Sequence, residues 1–433
     1  MIWHPYTIQK NAPLPIKIVS AKNEFLYDEK GNSYIDSISS WWISIHGHNH
    51  PKIIEAIKDS LDKLDHVMLA GLTNHSALEL AKKLISFTDN NFIRVFYSDN
   101  GSCANEISIK IAIQYFKNKG QNSKVEVIHF TNSYHGDTIG AMSVSGKSYF
   151  TEKFIDILFP STEFPSPDCY NCPVGKKRES CSEECLVKVE EYLEKNSEKI
   201  SAIIVEPLVN GANGMKMYKK EVLEKLKELT LEYDLLFIFD EVFTGFGRTG
   251  KNFAFEQTSI IPDIINLAKG LSGGVLPLAA TLVNEKVYSA FYTDKKEDAF
   301  YHGHTMTGNP SACAASLKTI ELFESENRIE DVLILEFHLK KYIEEIYEAL
   351  PFQILNRRVL GGIGAFEIDP IEGEENLLKE ISKDCLERGV MIRPLGNTFY
   401  VCPPYTITRE SITKVFETLG ERLLFYKNKI KNF

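Results

Sequence analysis

Charged residues at the ends of apolar runs mark where this chain could do chemistry. Between Leu235 and Gly274, one apolar run (Leu235 to Phe239) ends in two carboxylates, Asp240 and Glu241. A second run, Ile264 to Leu267, is followed by Lys269 and then by glycines. Charges at the ends of buried strands are costly to place without a use. In open α/β sheets ligands bind outside the carboxyl ends of the strands, so an acid and an amine are expected to face one pocket. Schiff-base chemistry is the first to consider for such a lysine.

Other stretches offer partners for that chemistry. Ser98 to Glu106 is a small-residue turn that follows an apolar run and enters a helical pattern. Free amide groups at such a helix start suit a phosphate, with Ser102 and a later Glu reading equally well as a simple cap. Asn132 to Thr138 places polar groups and Tyr134 just past another strand pattern, and Glu206-Pro207 ends a further one. Gly303, His304 and Thr305 lie in a Gly/Thr-rich turn that could also bind phosphate. Arg393 follows a short apolar strand, where its guanidinium could hold a substrate carboxylate. Trp41 and Trp42 are adjacent, so in extended chain they face opposite ways and one of them can line a pocket.

Two patterns invite other readings. Gly245 to Gly250 satisfies G-x-G-x-x-G, but two acids precede it and no helical stripe follows, so a dinucleotide site is rejected. Cys169, Cys172, Cys181 and Cys185 form C-x2-C-x8-C-x3-C in a proline-containing loop, a candidate structural zinc site with free thiols as the alternative. No catalytic metal is expected. His46, His48 and His50 read as turn residues ahead of a helix opened by Pro51.

The elements that must position these groups alternate strand and helix from about 46 to 320, which predicts a mainly parallel sheet. Residues 321–433 carry long charged helices and short strands and are expected to form a smaller α+β domain. Residues 1–45, with a hairpin around 28–32, are expected to pack with it. The 433 residues are 43% hydrophobic and 25% charged, ordinary for a globular protein. Lys and Arg total 49 against 59 Asp and Glu, a net charge of −10 that argues against nucleic-acid or anionic-membrane partners. No apolar run nears the ~18 residues of a membrane span, and the start shows no secretory pattern, so a cytoplasmic protein is expected.

Together the strand–Asp, strand–Lys, phosphate turn and Tyr134-His135-Gly136 resemble the class III pyridoxal-phosphate aminotransferases of fold type I. Three further features narrow the resemblance: Trp3-His4-Pro5-Tyr6-Thr7, Ser39-Ser40-Trp41-Trp42, and Ile392-Arg393-Pro394 with Pro403-Pro404-Tyr405. They are similar to the branch that aminates a long amino-oxo acid in biotin synthesis with S-adenosylmethionine as donor. The resemblance implies pyridoxal phosphate carried on Lys269, with Asp240 at its ring nitrogen and Tyr134 on its ring. It implies phosphate contacts from Gly101 and Ser102, and from Gly303, His304 and Thr305 of a homodimer partner. Tyr6, Trp41 and Arg393 would form the substrate pocket, with Glu206 behind it. His304 stands where better-known members carry proline, which leaves lysine open as an alternative donor. The rival readings are an ornithine- or 4-aminobutyrate-type ω-aminotransferase and a non-catalytic, zinc-stapled binding protein.

Overall fold

The computed structural model describes residues 2–148 and 150–432. Its central sheet has seven strands. From one edge they are Arg94–Ser98, Ala279–Val283, Ile264–Leu267 and Leu236–Asp240, then Ile200–Val205, Glu126–Phe130 and Thr162–Phe164. Ala279–Val283 runs antiparallel to both neighbours; the other pairs are parallel. Ile200–Val205 and Leu236–Asp240 are buried at every position, as strands covered by helices on both faces must be. The expected mainly parallel α/β sheet is therefore observed.

The helix Gly101–Asn118 crosses this sheet and opens the cavity described below. Its cap is Asn100, whose side chain accepts from Cys103 N, rather than Ser102. Glu106 does not close a capping box either. Its Oε1 accepts from Gly140 N at 2.6 Å and so holds the start of the short helix Ile139–Ser143.

Beyond residue 325 come the helices Arg328–Ala349, Leu377–Glu387 and Arg409–Phe425 and a three-stranded antiparallel sheet. The N-terminal hairpin pairs Phe25 with Ile35, as its turn residues predict. Its strand Ser33–Asp36 also pairs in parallel with Val390–Met391, joining the two ends of the chain in one four-stranded sheet. Residues 245–250 form turns followed only by the short 3-10 segment Ala254–Gln257, so the glycine pattern opens no helix. No helix among the described residues is long and apolar enough to cross a membrane.

The tandem tryptophans correct the extended reading. Ser39, Ser40, Trp41 and Trp42 have φ of 49°, 45°, 72° and 76°, a left-handed turn that costs about 1–2 kcal/mol per residue. Hydrogen bonds hold it: Ser40 Oγ donates to Asp36 Oδ2 at 2.7 Å and Ser39 Oγ to the Cys402 carbonyl at 2.8 Å. The turn sends the two indoles to different places. Trp42 is 7% exposed and donates to the Tyr400 hydroxyl; Trp41 is 38% exposed.

Candidate active site

A cavity of about 490 Å³ opens at the carboxyl ends of the central strands, with Trp42, Ser102, Tyr134, Glu206, Asp240 and Lys269 among its lining residues. Its volume is in the range that holds a cofactor-sized ligand.

Asp240 ends its strand and is 4% exposed. Oδ2 accepts from Asn105 Nδ2 and from His135 Nδ1, both at 2.8 Å, and Oδ1 accepts from Val242 N at 3.0 Å. Four acceptor lone pairs meet three donors, so the carboxylate keeps capacity for one more. Glu241, the next residue, leaves the cavity. It is fully buried, taking Thr244 Oγ1, Ala254 N and Phe255 N, and it pins the turn that follows. Only one of the two sequence-adjacent acids faces the amine.

Lys269 follows its strand in a left-handed conformation, φ 43°. Its Nζ lies 4.6 Å from the Trp42 ring centre and 5.8 Å from that of Phe243. Burial pushes this amine below the usual lysine range, against the pull of Asp240 and Glu206. An amine that loses its proton readily is what a Schiff-base lysine needs.

At the helix start, the amides of Gly101 and Ser102 donate to no acceptor among the described residues. A Cβ at Gly101 would meet Val242 Cγ1 at 2.7 Å, and one at Gly136 (φ 131°) would meet Ser102 Oγ at 2.1 Å. Backbone therefore approaches closely on both sides of these amides, a cradle suited to phosphate. Tyr134 is fixed from behind, its N donating to Glu206 Oε1 at 3.0 Å, while Glu206 Oε2 accepts from Gly211 N at 3.0 Å. Burial raises the Glu206 carboxyl to about 7.

Beside Tyr134, Tyr6 meets Trp41 edge-on at 5.6 Å and lines a neighbouring cavity, and the Arg393 guanidinium lies 4.7 Å from the Trp41 ring centre. The hydroxyls of Tyr6 and Tyr134 both donate to Asp137 Oδ2. Residues 6, 41, 134 and 393 thus come together. Gly303 and Thr305 are exposed and line no part of the cavity in this chain. His304 Nε2 stands 3.4 Å from Asp99, a cavity-lining residue.

All four loop cysteines are free, with Cys185 buried. No three His, Cys, Asp or Glu side chains among the described residues are grouped to hold a metal ion. The sequence assigns no role to Asn105, His135 or Phe243, and of the tryptophan pair it is Trp42 that lines the cavity. Asn105 and His135 carry a readable signal, as polar residues beside the phosphate turn and the pocket tyrosine.

A family profile described as aminotransferase class-III matches residues 6–423. The chain belongs to the class-III aminotransferases. Like other members it is a pyridoxal-phosphate-dependent transaminase, and the free amides, the open carboxylate and the deprotonation-prone lysine fit that cofactor. The adenosylmethionine-8-amino-7-oxononanoate aminotransferase of Geobacter sulfurreducens is 39% identical over 98% of this chain and 95% of its own. The Aquifex aeolicus protein of the same name is also 39% identical, over 96% and 94%. The crystal structure of the Methanocaldococcus jannaschii protein of that name superposes with a TM-score of 0.89 at 35% identity, covering 98% of this chain and 97% of that one. The omega transaminase from Pseudomonas jessenii in complex with PMP gives 0.92 at 27% identity, covering 99% and 97%. Fold similarity is thus common to both class-III aminotransferase types, while sequence identity is higher to the first.

Proposed function

We propose that this class-III aminotransferase transfers an amino group from S-adenosyl-L-methionine to 8-amino-7-oxononanoate, giving 7,8-diaminononanoate for biotin synthesis. The observation that carries the reading is the cluster of Tyr6, Trp41 and Arg393 packed beside Tyr134, which lines the cavity that holds Asp240 and Lys269. A long apolar acid needs aromatic walls and a cation beyond them. The names of relatives matched over nearly the whole chain support the same substrate.

Pyridoxal phosphate, when bound, supplies the aldehyde that takes up the amino group and the ring that spreads negative charge. The chain's own residues do the rest. Gly101 and Ser102 bind the phosphate through their amides. Asp240 holds a proton at the ring nitrogen through its remaining acceptor capacity. Lys269 Nζ holds the cofactor and, once released, moves the proton. Tyr134 covers the ring, and Glu206 positions Tyr134. Arg393 binds the acceptor's carboxylate, and Trp41 with Tyr6 excludes water from its methylenes. Gly303, His304 and Thr305 reach the phosphate site of a second copy in a cytoplasmic homodimer.

A half-reaction tests substrate and donor together. The pyridoxal-phosphate form, mixed with S-adenosylmethionine, loses its visible absorption and recovers it on adding 8-amino-7-oxononanoate. Bleaching by lysine but not by S-adenosylmethionine would overturn the donor; recovery with 4-aminobutyrate-derived aldehydes instead would overturn the acceptor.

A further inference from the structure

Behind Asp240 lies a row of buried polar side chains that the reaction scheme does not use. Asn266 sits at the register position beside Asp240, and Thr281 beside Asn266, so one line crosses three adjacent strands. Asn266 and Thr281 are completely buried, and Asn105, on the helix above, is 1% exposed. A polar amide inside the apolar run Ile264–Leu267 is costly unless fully hydrogen-bonded, and this one is.

The bonds share one direction. Thr281 Oγ1 reaches two acceptors, Asn266 Oδ1 at 2.9 Å and the Ala104 carbonyl at 3.1 Å, and Asn266 Nδ2 donates to Asn105 Oδ1 at 2.7 Å. Asn105 Nδ2 then donates to Asp240 Oδ2 at 2.8 Å. Each amide is fixed in orientation by its neighbour, because a carboxylate at the end of the row can only accept. Aligned dipoles in a dry interior polarise one another, so their positive ends converge on Asp240. Asn266 Nδ2 also reaches Ser108 Oγ at 2.8 Å and Asn105 Nδ2 the His135 carbonyl at 2.7 Å, leaving neither side chain free to turn.

We propose that Asn266 and Thr281 are positioning residues for transamination, acting through Asn105 to fix the orientation and charge of Asp240. The row solvates Oδ2 from within the protein, although neither Asn266 nor Thr281 lines the cavity. The inference rests on the proposed role of Asp240 at the cofactor's ring nitrogen.

Near-isosteric variants test it. Thr281→Val removes the first donor, together with its contact to the Ala104 carbonyl, and Asn266→Leu the second. In Asn266→Leu the half-reaction rate is expected to fall about tenfold or more, the usual cost of a lost bond in a chain that ends on a charge. The acceptor KM stays within about twofold, and the pH profile of the bound cofactor's absorption shifts. Thr281→Val shows the same shift in smaller measure. Affinity for pyridoxal phosphate, read by titrating apoprotein, weakens in the same order. If both variants only lower the unfolding temperature of the apoprotein, with rate, affinity and pH profile as in wild type, the row is structural and the proposal fails. Should Asn266→Leu not fold, Thr281→Val alone decides between these outcomes. A wild type that takes up no pyridoxal phosphate would overturn both this inference and the function it rests on.

Discussion

At the floor of the cavity, Asp240 takes three donors at 2.8–3.0 Å, and the side chains behind it are buried. At the mouth, Tyr6 is 47% and Trp41 38% exposed, and ring contacts rather than saturated hydrogen bonds join Tyr6, Trp41 and Arg393. The floor comes from the ends of neighbouring strands and one helix start. The mouth is assembled from residues 6, 41 and 393: the pairing of Ser33–Asp36 with Val390–Met391 brings 41 and 393 near one another, and Tyr6 joins them from its hydrogen bond to Asp137. Rigid, desolvated groups suit bond-making steps, where small misplacements are costly. An exposed aromatic rim suits a site that must admit two different substrates in turn.

Breaking the floor should therefore cost far more than breaking the mouth. Lys269→Ala is expected to lower turnover by at least roughly 10²–10⁴-fold, the usual worth of a positioned proton-transfer group. Near-normal turnover would remove Lys269 from the chemistry. Asp240→Asn keeps the shape but not the charge, and should lower kcat on the order of 10²–10³-fold in steady-state assays. A change confined to KM would contradict its role at the floor.

At the mouth, Arg393→Ala should raise the acceptor KM roughly ten- to a hundredfold with the cofactor spectrum intact, since one charge-assisted contact is lost. An unchanged KM would exclude the guanidinium from the substrate path. The smallest effect concerns Glu206, which lies between the two regions. Its carboxyl rises to about 7 in the folded state, chiefly through burial, from ~4.3 when unfolded. The folded state thus holds the extra proton between those values, and the group's stabilisation, present below ~4.3, is lost as pH rises through about 7. Glu206→Gln should flatten that part of the stability curve by on the order of 1–3 kcal/mol, read from urea midpoints across the window. Parallel curves for wild type and variant would show that Glu206 does not titrate there.

The same contrast explains what could be read in the chain beforehand. Asp240 and Lys269 stand out because charge interrupts apolar runs, and the sheet follows from the alternation around them. Glu241 does not reveal its different fate, because the turn after the strand, closed by Thr244 and Ala254, decides which way it faces. Asn266 hides inside an apolar run, its use visible only once the register with Asp240 is known. The left-handed turn at 39–42 defeats any period-based reading, since hydrogen bonds to Asp36 and Cys402, the latter over 350 residues away, stabilise it. Tyr6, Trp41 and Arg393 came together through family resemblance, as nothing local links them.

In the proposed scheme the strand-end lysine carries the cofactor. Reducing the pyridoxal-phosphate-loaded protein with borohydride and mapping the labelled peptide tests it directly. The label is predicted on Lys269 alone. A label on another lysine, or none at all, would exclude Lys269 as the residue that holds the cofactor.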